Sequence, residues 1–212
     1  SASLPMVQMG LTTSMIGLAL GQIFFGPLSD KYGRRPLLLV SMLLFIVSTL
    51  FCLFAPDIYS FVTLRLIQGI AGAGGIVISR SVATDKFSGK ELAKMLAVIG
   101  AINGVAPVAA PVIGGLLTGS VGWQGIFMIL LFIGILLGIG CIRFKESLPA
   151  EKRSKTGVWA TFRSFGIIVH NRRYMLYVFQ LAFAQGILFA YIASSPFIIQ
   201  QHYGFSPFAF SI

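Results

Sequence analysis

Gly26-Pro27-Leu28-Ser29-Asp30-Lys31-Tyr32-Gly33-Arg34-Arg35-Pro36-Leu37-Leu38 sets a short, basic turn between two long charge-free runs, Met6–Leu28 and Leu37–Ala55. Each run is near or above the ~20 residues that a helix needs to cross ~30 Å of hydrocarbon. Gly33 permits the tight turn that such a connection requires. Asp30 ends one helix beside Arg34 and Arg35, where charge-assisted pairs can form. Asp30 is therefore expected within ion-pair reach of Arg34, Arg35 or Arg80, the last approaching from the end of a later run.

The same pattern repeats outward. Further apolar runs cover Ile58–Thr84, Met95–Leu117, Val121–Ile142 and Tyr174–Gln200. They lack the polar face of a soluble amphipathic helix and the alternation of a β-barrel strand. The reading is all-α, a polytopic bundle with six membrane spans. Composition agrees: 56% hydrophobic residues, 10% charged and a mean hydropathy of +0.88. So few charges cannot cover the apolar surface of a water-soluble domain.

The net charge of +10 does not point to nucleic acid. Fourteen of the 16 Lys and Arg residues lie in alternate connections: 31–35, 86–94 and 143–173. The intervening connections, around Pro56–Asp57, Thr118–Gly122 and Gln201–Pro207, carry none. That asymmetry places the basic loops in the cytoplasm. Cys52 and Cys141 then lie a bilayer apart, too far for a disulfide. Ser1 would start outside with no signal peptide before it, which reads as a cut end. The final residues, Ser206–Ile212, read as a further helix beginning. Residues 1–143 are expected to form an N-terminal bundle lacking its first helix. Residues 144–173 would be a cytoplasmic linker, and 174–212 the truncated start of a second bundle.

Glycines spaced by four, Gly17/Gly21, Gly100/Gly104 and Gly134/Gly138, predict close helix packing. Pro107 and Pro111, with Gly104, Gly114 and Gly115, are expected to interrupt the fourth run and to act as a structural kink or a conformational hinge. Arg65 lies inside the third run, where a cation is expensive and usually faces a cavity or a partner. Its guanidinium is expected to point into the bundle and bond an oxygen there. No Asp, Glu or His lies in the interior of any run.

Residues 26–38 match, at every fixed position, the signature G-x-L-[AS]-D-[RK]-x-G-R-[RK]-x-x-L of the major facilitator superfamily, and the chain resembles that family. Arg65-Leu66-Ile67-Gln68-Gly69 is similar to its fourth-helix motif R-x-x-Q-G. Ala110-Pro111-Val112-Ile113-Gly114-Gly115 is similar to its fifth-helix antiporter motif, with Ala106 and Ala110 in place of two glycines. Arg80-Ser81 with Asp85, Trp123 before Ile126-Phe127, Glu146-Ser147-Leu148-Pro149 and Ser194-Ser195-Pro196-Phe197 resemble the bicyclomycin-resistance (Bcr/CflA) group of drug:proton antiporters. Helices two to seven of twelve would be present.

The resemblance implies a secondary transporter, not an enzyme, which exports small amphipathic compounds in exchange for protons by alternating access. Its location would be the bacterial inner membrane. A nutrient facilitator or symporter on the same fold, or a membrane module without transport, are the alternatives. A conformational latch would comprise Gly26, Asp30, Gly33, Arg34, Arg35 and Arg80. Arg65 and Gln68, with Tyr177 and Gln180 of the sixth run, would line the substrate cavity. The implied partners are a small-molecule substrate and the lipid bilayer, with no nucleic acid and no obligate protein partner. No metal or cofactor is implied beyond the proton gradient.

Overall fold

Apolar sequence on every side of a helix leaves no reason for it to face water, and in lipid each backbone polar group must be satisfied within its own segment. The runs accordingly become helices in the computed structural model, which describes residues 4–155, 166, 169–196 and 198–199. The helices are α1 (Leu4–Tyr32), α2 (Arg34–Leu53), α3 (Ile58–Lys86), α4 (Gly89–Arg143) and α5 (Arg172–Pro196). A 3-10 turn covers Ala150–Lys152. Five segments are long and apolar enough to cross a membrane: Gln8–Tyr32, Arg34–Leu53, Ile58–Lys86, Val121–Arg143 and Arg172–Tyr191. The expected span Met95–Leu117 is helical within α4, but several of its side chains, including those of Val108, Pro111 and Leu116, lie outside the described residues.

Local chemistry sets the helix ends. Gly33, at φ 101°, turns α1 into α2 with a single residue between them. Asp57 caps α3 by accepting the Ser60 N–H at 2.9 Å and the Ser60 hydroxyl at 2.8 Å. Those bonds hold the Asp57 carboxyl below the ordinary range.

The fourth run is not interrupted where the prolines suggested. The backbone stays helical through Pro107, Pro111, Gly114 and Gly115, and the break falls at Gly122 (φ 66°, ψ −175°), in the connection expected between the fourth and fifth runs. Proline's fixed φ suits a helix, and the bond it removes can be lost without ending the segment. At Gly122 the positive φ excludes most other residues, and it divides the 55-residue α4 into two runs.

α3 is the centre of the bundle, packing on α1 and α2, while α4 packs chiefly on α2. The α1–α3 seam depends on missing side chains. A Cβ built on Gly17 would stand 2.2 Å from the Leu66 carbonyl oxygen, and one on Gly69 would stand 2.0 Å from that of Ser14. Gly134 and Gly138 similarly admit Phe45 and Ile46 of α2. Gly100 and Gly104 do not follow the expected pattern: a Cβ on either meets open space. Phe25, Ala73 and Ile78 form the buried apolar centre, near the basic end.

Candidate functional site

Two polar constellations stand on this frame. The first lies at the basic end. Arg34, the first residue of α2, is 6% exposed and is shared between two carboxylates. Its Nη1 reaches Asp30 Oδ1 at 2.5 Å and Ser29 Oγ at 2.6 Å. Its Nε donates to Asp85 Oδ2 at 3.0 Å, with Nη2 at 3.4 Å from Asp85 Oδ1. A planar fork with five donors bridges α1 and α3 in this way, which a lysine ammonium could not do.

The second anchor of this cluster comes from beyond α4. Gly33 offers no side chain to cap α2, and the cap arrives from Glu146. Glu146 Oε1 accepts the Arg34 N–H at 2.9 Å and Oε2 accepts the Arg35 N–H at 3.2 Å. The N–H groups of Ser147 and Leu148 add two bonds of 3.0 Å, and Arg153 Nη2 lies 3.6 Å from Oε2. Burial alone would raise the Glu146 carboxyl. The N–H groups of Leu148, Arg34 and Arg35 and the charge of Arg153 outweigh it and hold the group below the usual carboxylate value.

Gly33 is required twice over. Its φ is positive, and a Cβ there would stand 2.5 Å from Glu146 Oε2. Ser147 Oγ donates to Asp85 at 3.0 Å, the Ser154 N–H donates to the Asp30 carbonyl at 2.9 Å, and Arg35 Nη2 donates to the Ile142 carbonyl at 3.0 Å. Residues 146–154 thus lie across the α1–α2 turn as a strap.

The structure brings Asp30, Gly33, Arg34 and Arg35 together, as expected. Gly26 takes part through its carbonyl, which accepts from Ser29 Oγ at 2.9 Å, and a Cβ there would make only ordinary contact. Arg80 does not join: its side chain is exposed, and Asp85, five residues on, takes its expected place from α3. Five residues are about 1.4 helical turns, which puts Arg80 on a face about 140° from that of Asp85.

The second constellation lies inside the bundle. Arg65 Nη1 donates to Gln68 Oε1, one helical turn on. Gln68 Nε2 donates to Thr49 Oγ1 at 2.6 Å, and Thr49 Oγ1 donates to the Phe45 carbonyl at 2.6 Å. The guanidinium lies 5.8 Å from the Phe127 ring centroid. Phe127 in turn stacks edge-on with Phe61 and Trp123. Arg65 therefore points into the bundle, as expected. A groove of about 310 Å³ opens beside it, lined by Met15, Leu18, Phe45, Gln68, Leu130 and Phe189 among others.

Tyr177 and Gln180 do not line this groove. Both are exposed on α5, Tyr177 by 74%. Phe189 is the contribution of α5 to the groove. Pro111 and Gly115 have helical backbone, and their side-chain surroundings lie outside the described residues. Asp85, Glu146 and Thr49 are participants that the sequence reading does not place in either constellation, although Asp85 and Glu146 stand in the motifs that carry the family resemblance. The signals for Glu146 are that motif and an acid placed among basic residues, in a connection where Glu151 is the other acid.

Membrane-length helices with a charge network at one end and an arginine within the bundle define a polytopic membrane protein. The chain belongs to the major facilitator superfamily, whose model matches residues 1–212. It is 40% identical to an uncharacterised MFS-type transporter, YdgK, of Bacillus subtilis (strain 168), over 100% of this chain and 54% of that protein. It is 30% identical to a bicyclomycin resistance protein homolog of Haemophilus influenzae, over 93% of this chain and 50% of the relative. It is 28% identical to the multidrug transporter MdfA of Yersinia pestis, over 100% and 52% respectively. The chain spans about half the length of these curated relatives. Among solved structures, the human organic anion transporter MFSD10 (TETRAN) superposes with a TM-score of 0.56 at 25% identity, covering 70% of this chain and 34% of that one.

Proposed function

We propose that this chain is part of a proton-driven exporter of small amphipathic compounds, including drugs, in the bacterial inner membrane. The observation that carries the reading is alignment along nearly the whole chain with relatives named for bicyclomycin resistance and multidrug transport. The basic end is cytoplasmic, and residues 144–173 link an N-terminal bundle (1–143) to the start of a second (174–212). Alternating access rocks the two bundles about a midplane site. Asp30, Gly33, Arg34 and Arg35 latch one conformation at the cytoplasmic face, and Arg65 and Gln68 belong to the substrate cavity. The latch works as a bias, since 1.4 kcal/mol shifts a two-state equilibrium about tenfold. Pro107, Pro111, Gly114 and Gly115 supply flexibility in α4.

The test is drug uptake into everted membrane vesicles carrying the protein, whose outer face is the cytoplasmic one. Addition of substrate should dissipate an imposed pH gradient, and Asp30→Asn should slow turnover while leaving the amount of folded protein unchanged. Drug flux indifferent to the gradient would reject proton coupling, and Asp30→Asn flux equal to that of the parent would reject the latch.

A further inference from the structure

Arg65 is a permanent cation. Among the described residues its partners are neutral, the Gln68 amide oxygen and the face of Phe127. Gln68 is fixed in that role. Its nitrogen end is engaged by Thr49, whose own hydroxyl proton goes to the Phe45 carbonyl, so its oxygen must face the guanidinium. The chain of bonds delivers a dipole to Arg65 and no charge. No ion pair to Arg65 occurs among the described residues, and one of its five donors is engaged. A guanidinium away from bulk water strongly favours a counter-charge.

The adjoining space is an open-sided groove of about 310 Å³. Its remaining walls are chiefly apolar: Met15, Leu18, Phe45, Leu130 and Phe189. The geometry points to a receptor for an amphipathic organic anion. A carboxylate or sulfonate takes the free edge of the Arg65 fork, and the apolar body lies against the aromatic and aliphatic walls. This rests on the export reading and names its substrate class.

The probes are dansylglycine, a fluorescent carboxylate, and its uncharged primary amide, titrated into the purified full chain in lipid nanodiscs. The carboxylate should bind at least about tenfold more tightly than the amide, because the amide leaves the guanidinium without its counter-charge. Arg65→Gln should erase that preference. Gln68→Glu should erase it too while retaining Arg65, because it places a carboxylate in the chain itself, and the melting temperature should hold or rise. A purely structural Arg65 would show the second effect and not the first.

Equal affinity for the two probes, no saturable binding of either, or a preference that survives both substitutions would overturn the anion site. Should Gln68→Glu fail to fold, Arg65→Gln decides alone. Energised transport of the amide in vesicles, with no preference for the carboxylate, would overturn the anion site and leave the export reading standing. Carboxylate binding with no energised flux of any compound would do the reverse.

Discussion

Arg34 and Arg65 carry the same guanidinium into two regions of one bundle and meet opposite solutions. At the basic end Arg34 is enclosed and shared between Asp30 and Asp85. Inside the bundle Arg65 meets an amide, a ring and an apolar groove. The edge satisfies its cation with carboxylates, and the interior gives its cation, among the described residues, neutral partners beside a groove. A charge neutralised locally holds helices together. A charge left partly open is poised for something that enters. Each of four substitutions tests where this contrast ends.

Arg34→Met should have the largest effect. It removes one ion from a buried network and leaves Asp85, whose side chain is 14% exposed, with the Ser147 hydroxyl and the charge of Lys152 nearby. Breaking such a pair from one side costs roughly 3–5 kcal/mol when it is fully buried. Asp30 is half exposed, so about 3 kcal/mol is expected, read as a lowered unfolding midpoint in detergent. Arg34→Lys should recover only part, since an ammonium cannot reach Ser29, Asp30 and Asp85 together. Full recovery by lysine would show that simple charge suffices.

Glu146 comes next. Glu146→Gln keeps an acceptor but removes the charge that receives four N–H groups and Arg153. A loss of about 1.5 kcal/mol is expected near neutral pH, at the lower end for charged hydrogen bonds. Because the folded carboxyl titrates below its unfolded value of about 4.3, its stabilisation is complete above that pH. It is lost as pH falls through the folded value. The parent protein should lose stability more steeply than Glu146→Gln as pH falls from about 5 to 3. Parallel acid profiles for the two would show that Glu146 contributes nothing through its charge.

Arg65→Met should destabilise less than either. No carboxylate among the described residues depends on Arg65, and its removal exposes one unmet acceptor on Gln68. About 1 kcal/mol is the scale of leaving such an amide unpaired. A loss equal to that of Arg34→Met would reveal an ionic partner and dissolve the contrast between the two regions.

How far the sequence disclosed these two regions depends on range. Helix positions followed from apolar runs because lipid imposes a uniform solvent and a fixed length. The Asp30–Arg34 pair was legible because the two lie four residues apart across a turn in which Gly33 is the one residue between α1 and α2. Asp85 and Glu146 reach the same guanidinium and the same helix start from 51 and 112 residues away. No local pattern encodes such a meeting. Spacing also misled. Gly17/Gly21 and Gly100/Gly104 share one interval, yet the first pair faces α3 and the second faces open space. An interval defines a stripe on a helix and leaves its neighbour undefined. In α4 the proline pair suggested an interruption that the backbone does not make, and the chain turned at Gly122, inside the connection expected around Thr118–Gly122, where φ is positive in the helix interior.

Arg80 supplies the smallest effect and the sharpest boundary. It lies on α3 between Arg65 and Asp85, and a reading based on sequence placed it in the latch. In the structure its side chain is exposed, and no ion pair to it occurs among the described residues. Removing a solvated or snorkelling cation breaks no buried contact and strands no carboxylate, so Arg80→Ala should change stability by less than about 0.5 kcal/mol. The Arg34→Met penalty should be the same with or without Arg80→Ala, because groups that share no partner act additively within about 0.5 kcal/mol. A double-mutant cycle measures this directly. Coupling well above that value would bring Arg80 into the network at the basic end. Additivity would confine that network to Asp30, Arg34, Asp85 and the strap from Glu146, leaving Arg80 energetically outside both regions.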